Sequence, residues 1–220
     1  MTLQRRELLD AVAARLRAQD PGHPLRIGID GVCGSGKTTF GDELAALLAE
    51  GPRPVIRLDS DGFHNERAVR YRQGRDSARG YYEDAYALDS LRLLTLEPLG
   101  PDGTRRYAEH LHDLETDRVA PRFADAADDA ILVFDATFIQ RDELRDHWDE
   151  VIYLDAPREH ALERGVQRDV ARGADADASR ELYDARYLAA CDIYLEEQDP
   201  RTRASILIDH ADPSLPLLLR

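Results

Sequence analysis

The chain has 220 residues, 43% hydrophobic and 33% charged, enough apolar content for a core and a length that suits one α/β domain, or one domain with a small lid. No run of about 20 apolar residues occurs, which argues against a membrane span, and Met1 to Glu7 lack the apolar block and cleavage site of a secretory signal. The 29 basic and 43 acidic residues leave a formal net charge of −14; such a chain repels a phosphate backbone, so nucleic acid is not an expected partner.

Two cysteines, Cys33 and Cys191, are too few for a disulfide framework and point to a reducing, cytoplasmic setting. Of the 29 basic residues 28 are arginine, and the single lysine is Lys37.

In chain order, residues 3–18 read as an amphipathic helix with Leu8, Leu9, Val12 and Leu16 at helical spacing, ended by the turn Asp20-Pro21-Gly22-His23-Pro24. Leu25–Asp30 reads as a short buried strand, Thr38–Glu50 as a helix stopped by Gly51-Pro52, and Pro54–Asp59 as a second strand. Residues 60–88 are polar and aromatic with weak periodicity. A helix capped by Asp89 is expected over 89–97, then a turn at 98–103, an extended excursion over 104–113 and a solvated acidic loop over 125–129. Ile131–Asp135 is the clearest buried strand and Val151–Asp155 another. A helix follows Pro157, which suits a first helical position. Residues 173–178 read as a mobile linker, Ser179 opens a further helix, and Ser205–Asp209 is the last strand. Strands alternating with helices imply an α/β fold with a parallel sheet and helices on both faces. The expected organisation is one domain over 1–220, with a lid over about 158–180 and a substrate-site excursion over about 60–120.

Gly31-Val32-Cys33-Gly34-Ser35-Gly36-Lys37-Thr38 fits the G-x-x-x-x-G-K-[ST] pattern of a P-loop between a predicted strand and a predicted helix. The glycines let backbone N–H groups, from Gly31 through Val32, Cys33, Gly34, Ser35 and Gly36 to Thr39, converge on a phosphate at the positive end of a helix. Lys37 would reach the outer phosphates, where a compact ammonium suits the cradle better than a guanidinium. Thr38 and Asp135, at the end of a sheet strand, would hold Mg²⁺.

The base motif of a guanine-reading switch, Asn-Lys-x-Asp, is absent: the only Asn is Asn65 and the only Lys is Lys37. One cradle on a small acidic chain favours a small-molecule kinase using ATP and Mg²⁺. A hydroxyl acceptor benefits from a carboxylate that takes its proton, and Asp59 and Asp61 lie just past the second strand, at the sheet edge where ligands bind. Arg67, Arg70, Arg72, Arg75 and Arg79 crowd the following stretch. They suit either an anionic substrate, with Arg67 and Arg70 as its contacts, or a solvated face paired with nearby acids.

Gly31–Thr39, Asp61-Gly62-Phe63-His64, Tyr81–Asp89, Tyr107–His112, the strand ending at Asp135, and Arg164–Asp169 resemble, in that order, the uridine kinase and phosphoribulokinase family. The resemblance implies a P-loop NTPase fold with a small lid, and Asp61 rather than Asp59 as the base. It implies Arg164 and Arg168 as lid arginines over the phosphates, and His64, Tyr82, Glu83, Tyr107 and His112 as contacts to the acceptor. His64 stands where uridine kinases carry Tyr, closer to phosphoribulokinases, and Glu83 stands where they carry a sugar-binding Asp.

The expected function is transfer of the γ-phosphoryl group of ATP to the 5′-hydroxyl of a pyrimidine nucleoside. The alternatives are a phosphorylated sugar or another hydroxylated metabolite such as pantothenate, or a nucleotide-binding regulator without transfer activity. The expected partner is a small molecule; oligomeric state is open.

Overall fold

The computed structural model describes residues 2–220. Six strands form one sheet in the order β2-β5-β1-β6-β7-β8: β1 Leu25–Asp30, β2 Val55–Asp59, β5 Ile131–Asp135, β6 Glu150–Asp155, β7 Ile206–Asp209 and β8 Leu217–Leu218. All neighbours are parallel except β7 and β8. Both faces of this sheet are covered, which is why β1 and β5 read as nearly unbroken apolar runs.

Alternation along the strands sorts the core into two layers. Leu25, Ile27 and Ile29 of β1, with Ile131, Val133, Ile152 and Leu154, pack under helices α1 (Leu3–Arg17) and α2 (Lys37–Leu48). Leu132, Phe134, Val151 and Tyr153 face the other way, toward Leu96, Tyr107 and Trp148. On that face Gly28 leaves room for the 136–148 segment, since a Cβ there would lie 2.5 Å from the Ile139 side chain.

The excursion after β2 contains a 3₁₀ turn at Ser60–Phe63, short helices α3 (Arg67–Arg70), α4 (Ala78–Asp84) and α5 (Leu88–Leu91), and a π turn at Arg92–Leu96. It ends in a separate antiparallel hairpin, β3 (Arg106–Asp113) with β4 (Arg118–Asp125). The C-terminal third adds α6 (Arg158–Ala171), α7 (Ala176–Leu182), a π turn at Tyr183–Leu188, α8 (Ala189–Gln198) and α9 (Pro200–Arg203).

Several expected boundaries move. Asp89 does not cap its helix: the cap is Ala87, and Asp89 meets Arg92 at 3.3 Å instead of a backbone N–H. Pro157 is the residue before the first helical turn, with extended ψ. The linker shrinks to residues 172–175 because the Asp175 side chain accepts from Ala178 N at 2.9 Å and starts α7 there, ahead of Ser179. Asp125 ends β4, so the acidic loop begins one residue later. Among the described residues no helix is long and apolar enough to cross a membrane.

Candidate active site

The loop between β1 and α2 sits where β1's neighbours β5 and β6 part, at the carboxyl edge of the sheet, the place where open α/β sheets bind ligands. Its curl depends on glycine at two positions above all. Gly34 has φ +83°, and a Cβ there would stand 2.1 Å from the Ala161 carbonyl oxygen of α6; Gly36, the cap of α2, has φ +95°. Lys37 Nζ donates to the carbonyls of Gly31 and Val32 at 2.8 and 2.9 Å, which holds the ammonium inside the curl.

The loop is braced from below by side chains that its own motif does not contain. Asp30 is fully buried; it accepts from Gly31 N at 2.8 Å, Tyr194 Oη at 2.6 Å and Gln140 Nε2 at 2.8 Å. Burial pushes its carboxyl up, and the three donors oppose that. His210 braces the other side. A carbonyl only accepts, so the His210 Nδ1–H donates to Ser35 O at 2.7 Å, and Nε2 accepts from Arg5 Nη1 at 3.0 Å. Burial, the larger cause, holds this imidazole down at about 4. Tyr194, Gln140, His210 and Arg5 carried no sequence signal, because each acts through a contact more than a hundred residues away.

A cleft of about 1180 Å³ opens over the loop. That exceeds an ordinary single-ligand pocket and suits two substrates. Lys37, Thr38, Asp135, Asp59 and Asp61 are among the residues that line it. Asp59 and Asp135 are register partners at adjacent strand ends. Thr38 Oγ1 donates to Asp135 Oδ2 at 2.9 Å, and the other Asp135 oxygen pairs with Arg57. A hydroxyl and a carboxylate facing a phosphate cradle are the hard oxygen donors that Mg²⁺ takes beside substrate phosphates. The residues present fit the ion.

Asp59 Oδ1 accepts from Asp61 N at 2.9 Å, so Asp59 serves as cap of the 3₁₀ turn and leaves the exposed Asp61 carboxylate free in the cleft. His64 Nε2 lies 4.0 Å from Asp61 Oδ1, while its Nδ1–H donates to Ala85 O at 3.0 Å. Burial, with Arg70 and Arg186 adding to it, lowers His64 to about 4. Its unprotonated Nε2 therefore faces the same space as Asp61.

Arg164 and Arg168 project from α6 into the cleft as their spacing implied. Arg164 Nη1 donates to Ser35 O at 3.4 Å and Arg168 Nη2 to Tyr183 Oη at 2.6 Å.

Other expected contacts lie elsewhere. Tyr82 is buried in α4's packed side against Phe138, and its neighbour Tyr81, about 100° round the helix, lines the cleft instead. Glu83 is on the outer surface, hydrogen-bonded to Gln73 at 2.8 Å; Asp84 is buried and ion-paired with Arg72. Tyr107 belongs to the hydrophobic layer at the base of the hairpin. His112 is buried with Nε2 3.1 Å from Asp117, and Asp117 in turn meets Arg70 Nη2 at 3.2 Å and Arg67 N at 2.9 Å. Of the arginine cluster only Arg70 lines the cleft; Arg79 pairs with Glu197 at 2.7 Å. Tyr71, Tyr86, Arg186 and Tyr187 complete the wall.

A family model described as the phosphoribulokinase/uridine kinase family matches residues 26–209. A uridine kinase of Leuconostoc citreum (strain KM20) is 28% identical over 152 residues, covering 67% of this chain and 69% of the relative. A uridine kinase of Ureaplasma urealyticum serovar 10 is 24% identical over 149 residues, covering 67% and 70%. Among solved structures, one described as a possible uridine kinase from Bacillus stearothermophilus superposes with a TM-score of 0.72 at 27% identity, over 92% of this chain and 97% of that one.

Proposed function

The chain belongs to the phosphoribulokinase/uridine kinase family, hence to the P-loop small-molecule kinases, and from that premise we propose that it transfers the γ-phosphoryl group of ATP to a hydroxyl of a small metabolite, with Asp61 as the base. One observation carries this reading: Asp61 and the Lys37–Thr38–Asp135 group line the same cleft. The acceptor oxygen forms its bond to the γ-phosphorus, the bond to the β–γ bridging oxygen breaks, and the hydroxyl proton passes to Asp61. Lys37, Arg164 and Arg168 stabilise the charge on the transferring group. Thr38 and Asp135 would hold Mg²⁺, which supplies neutralisation of the phosphate oxygens.

Two acceptor classes compete. The named relatives favour the 5′-hydroxyl of a pyrimidine nucleoside. The cleft favours a charged acceptor, since Arg70 lines it while Tyr107, His112 and Glu83 do not. Coupled ADP release with ATP, Mg²⁺ and single acceptors tests the transfer itself. Asp61→Asn is expected to lower kcat by about 100-fold or more with ATP affinity retained. A regulator without transfer activity would release no ADP with any acceptor, and Asp61→Asn would change nothing.

A further inference from the structure

Resting on the kinase reading above, we propose that the acceptor carries an anionic group, a carboxylate or a phosphate, and that Arg70 and Arg186 hold it where Tyr71 walls the cleft. Arg186 stands on the π turn 183–188 and is 6% exposed. Its Nη1 donates to the Arg75 carbonyl, and its Nε is buried with no partner. Among the described residues no carboxylate lies within ion-pair reach of it. The rings of Tyr71, Tyr81 and Tyr187 lie 4.9, 5.2 and 5.7 Å from its guanidinium carbon. Stacking of this kind offsets part of the cost of burying a cation, but a guanidinium without a counter-ion remains unfavourable.

Arg70 approaches the other part of the same wall. Its guanidinium carbon is 5.4 Å from the Tyr71 ring, and its Nε is also buried without a partner. Its one carboxylate, Asp117, is shared with the Arg67 N–H and His112. Two guanidinium groups thus line one cleft in a chain of net charge −14; of the two only Arg70 pairs with Asp117, and Arg186 has no acid among the described residues. Among the described residues, Arg70 donates through Nη2 and Arg186 through Nη1, and neither Arg70 Nη1 nor Arg186 Nη2 has a hydrogen-bond partner. An oxyanion, the planar carboxylate or the tetrahedral phosphate, is the ligand that such guanidinium forks recognise. The donor's phosphates have cations of their own in Lys37, Arg164 and Arg168, so the anion assigned here belongs to the acceptor.

The test uses the intact protein and six probes: D-glycerate and pantothenate as carboxylates, ribose 5-phosphate and ribulose 5-phosphate as phosphates, and uridine and cytidine as neutral controls. Melting temperature is read with each probe alone, and KM and kcat with ATP. A carboxylate or a phosphate is expected to raise the melting temperature and to be the turned-over acceptor, whichever arm responds naming the group. Its KM should rise about 10- to 100-fold in Arg186→Gln and in Arg70→Gln, with the KM for ATP within about twofold. Should Arg186→Gln fail to fold, Arg70→Gln carries the test. The proposal is overturned if only uridine or cytidine binds or turns over, if none of the four anions binds, or if the variants raise the KM for ATP instead. Failure of the kinase reading is distinct: ATP and Mg²⁺ would then release no ADP while an anion still binds.

Discussion

The fold changes the chemistry of Cys33 in the direction of reactivity. It is half-exposed at the mouth of the phosphate loop, with Tyr81 Oη 3.9 Å and Thr137 Oγ1 3.7 Å from its sulfur, and its N–H donates to Cys191 Sγ at 3.4 Å. The neighbouring Cys191 side chain, interacting with the Cys33 sulfur, is the main cause that lowers the Cys33 thiol, with Lys37 and the two hydroxyls adding to it against burial. Cys191 is buried, and burial pushes its thiol up. Iodoacetamide at neutral pH should therefore alkylate Cys33 and spare Cys191. Because the thiol lines the cleft over the loop, ATP with Mg²⁺ should slow the reaction about tenfold or more at a concentration ten times its Kd. Peptide mass mapping with and without nucleotide checks both statements; equal labelling of the two thiols, or labelling indifferent to nucleotide, contradicts them.

At the scale of elements, legibility followed how local the determining contacts are. β1, the loop and α2 were readable because an apolar run, a glycine pattern and a helical stripe lie side by side, and the proposed phosphate cradle is the motif itself. The α4 tyrosines were not: choosing between Tyr81 and Tyr82 needs the helix's rotation, which is set by Phe138 and Arg141 packing on Tyr82 from a distant loop. β4 carries no strand signal because Arg118–Asp125 is exposed along almost its whole length and so lacks an apolar face. Tyr107 and His112 kept their spacing, yet the hairpin turns one into the core and the other onto Asp117. The contact between the loop and α6 gives a prediction at this scale. Alanine at Gly34 must adopt φ +83° and place a Cβ 2.1 Å from the Ala161 carbonyl, a backbone atom that cannot swing away. The conformation alone costs about 1–3 kcal/mol, and relief of the clash must push α6, with Arg164 and Arg168, off the loop. Gly34→Ala should lower the unfolding midpoint and raise the KM for ATP by about tenfold or more, while Gly74→Ala, also at positive φ but with open space around it, should leave the KM for ATP unchanged.

At the scale of the whole molecule, a buried histidine, His210, and a largely covered one, His64, tie distant parts of the chain to the site and make its stability depend on pH. His210 links α1, through Arg5, to the Ser35 carbonyl of the loop; His64 links the 3₁₀ turn to the Ala85 carbonyl beyond α4. Burial lowers both to about 4, against about 6.5 in an unfolded chain. The folded state therefore binds fewer protons than the unfolded state between those values, so stability rises with pH across that window. The contribution is whole above about pH 6.5 and is lost as pH falls toward 4, on the order of 3 kcal/mol for each histidine. For His210 the physical event is specific: protonation turns Nε2 from an acceptor into a donor facing the Arg5 guanidinium, so two cations meet in a buried place and α1 loses its hold on the loop. Urea unfolding at pH 7.5 and at pH 5.0 should show the midpoint fall at the lower pH. His210→Gln, which can still donate to Ser35 O without titrating, should flatten its share of that slope even though it lowers stability at pH 7.5. A midpoint that is the same at both pH values, or a slope untouched by His210→Gln, would show that these imidazoles do not hold the acid-sensitive contacts of the fold.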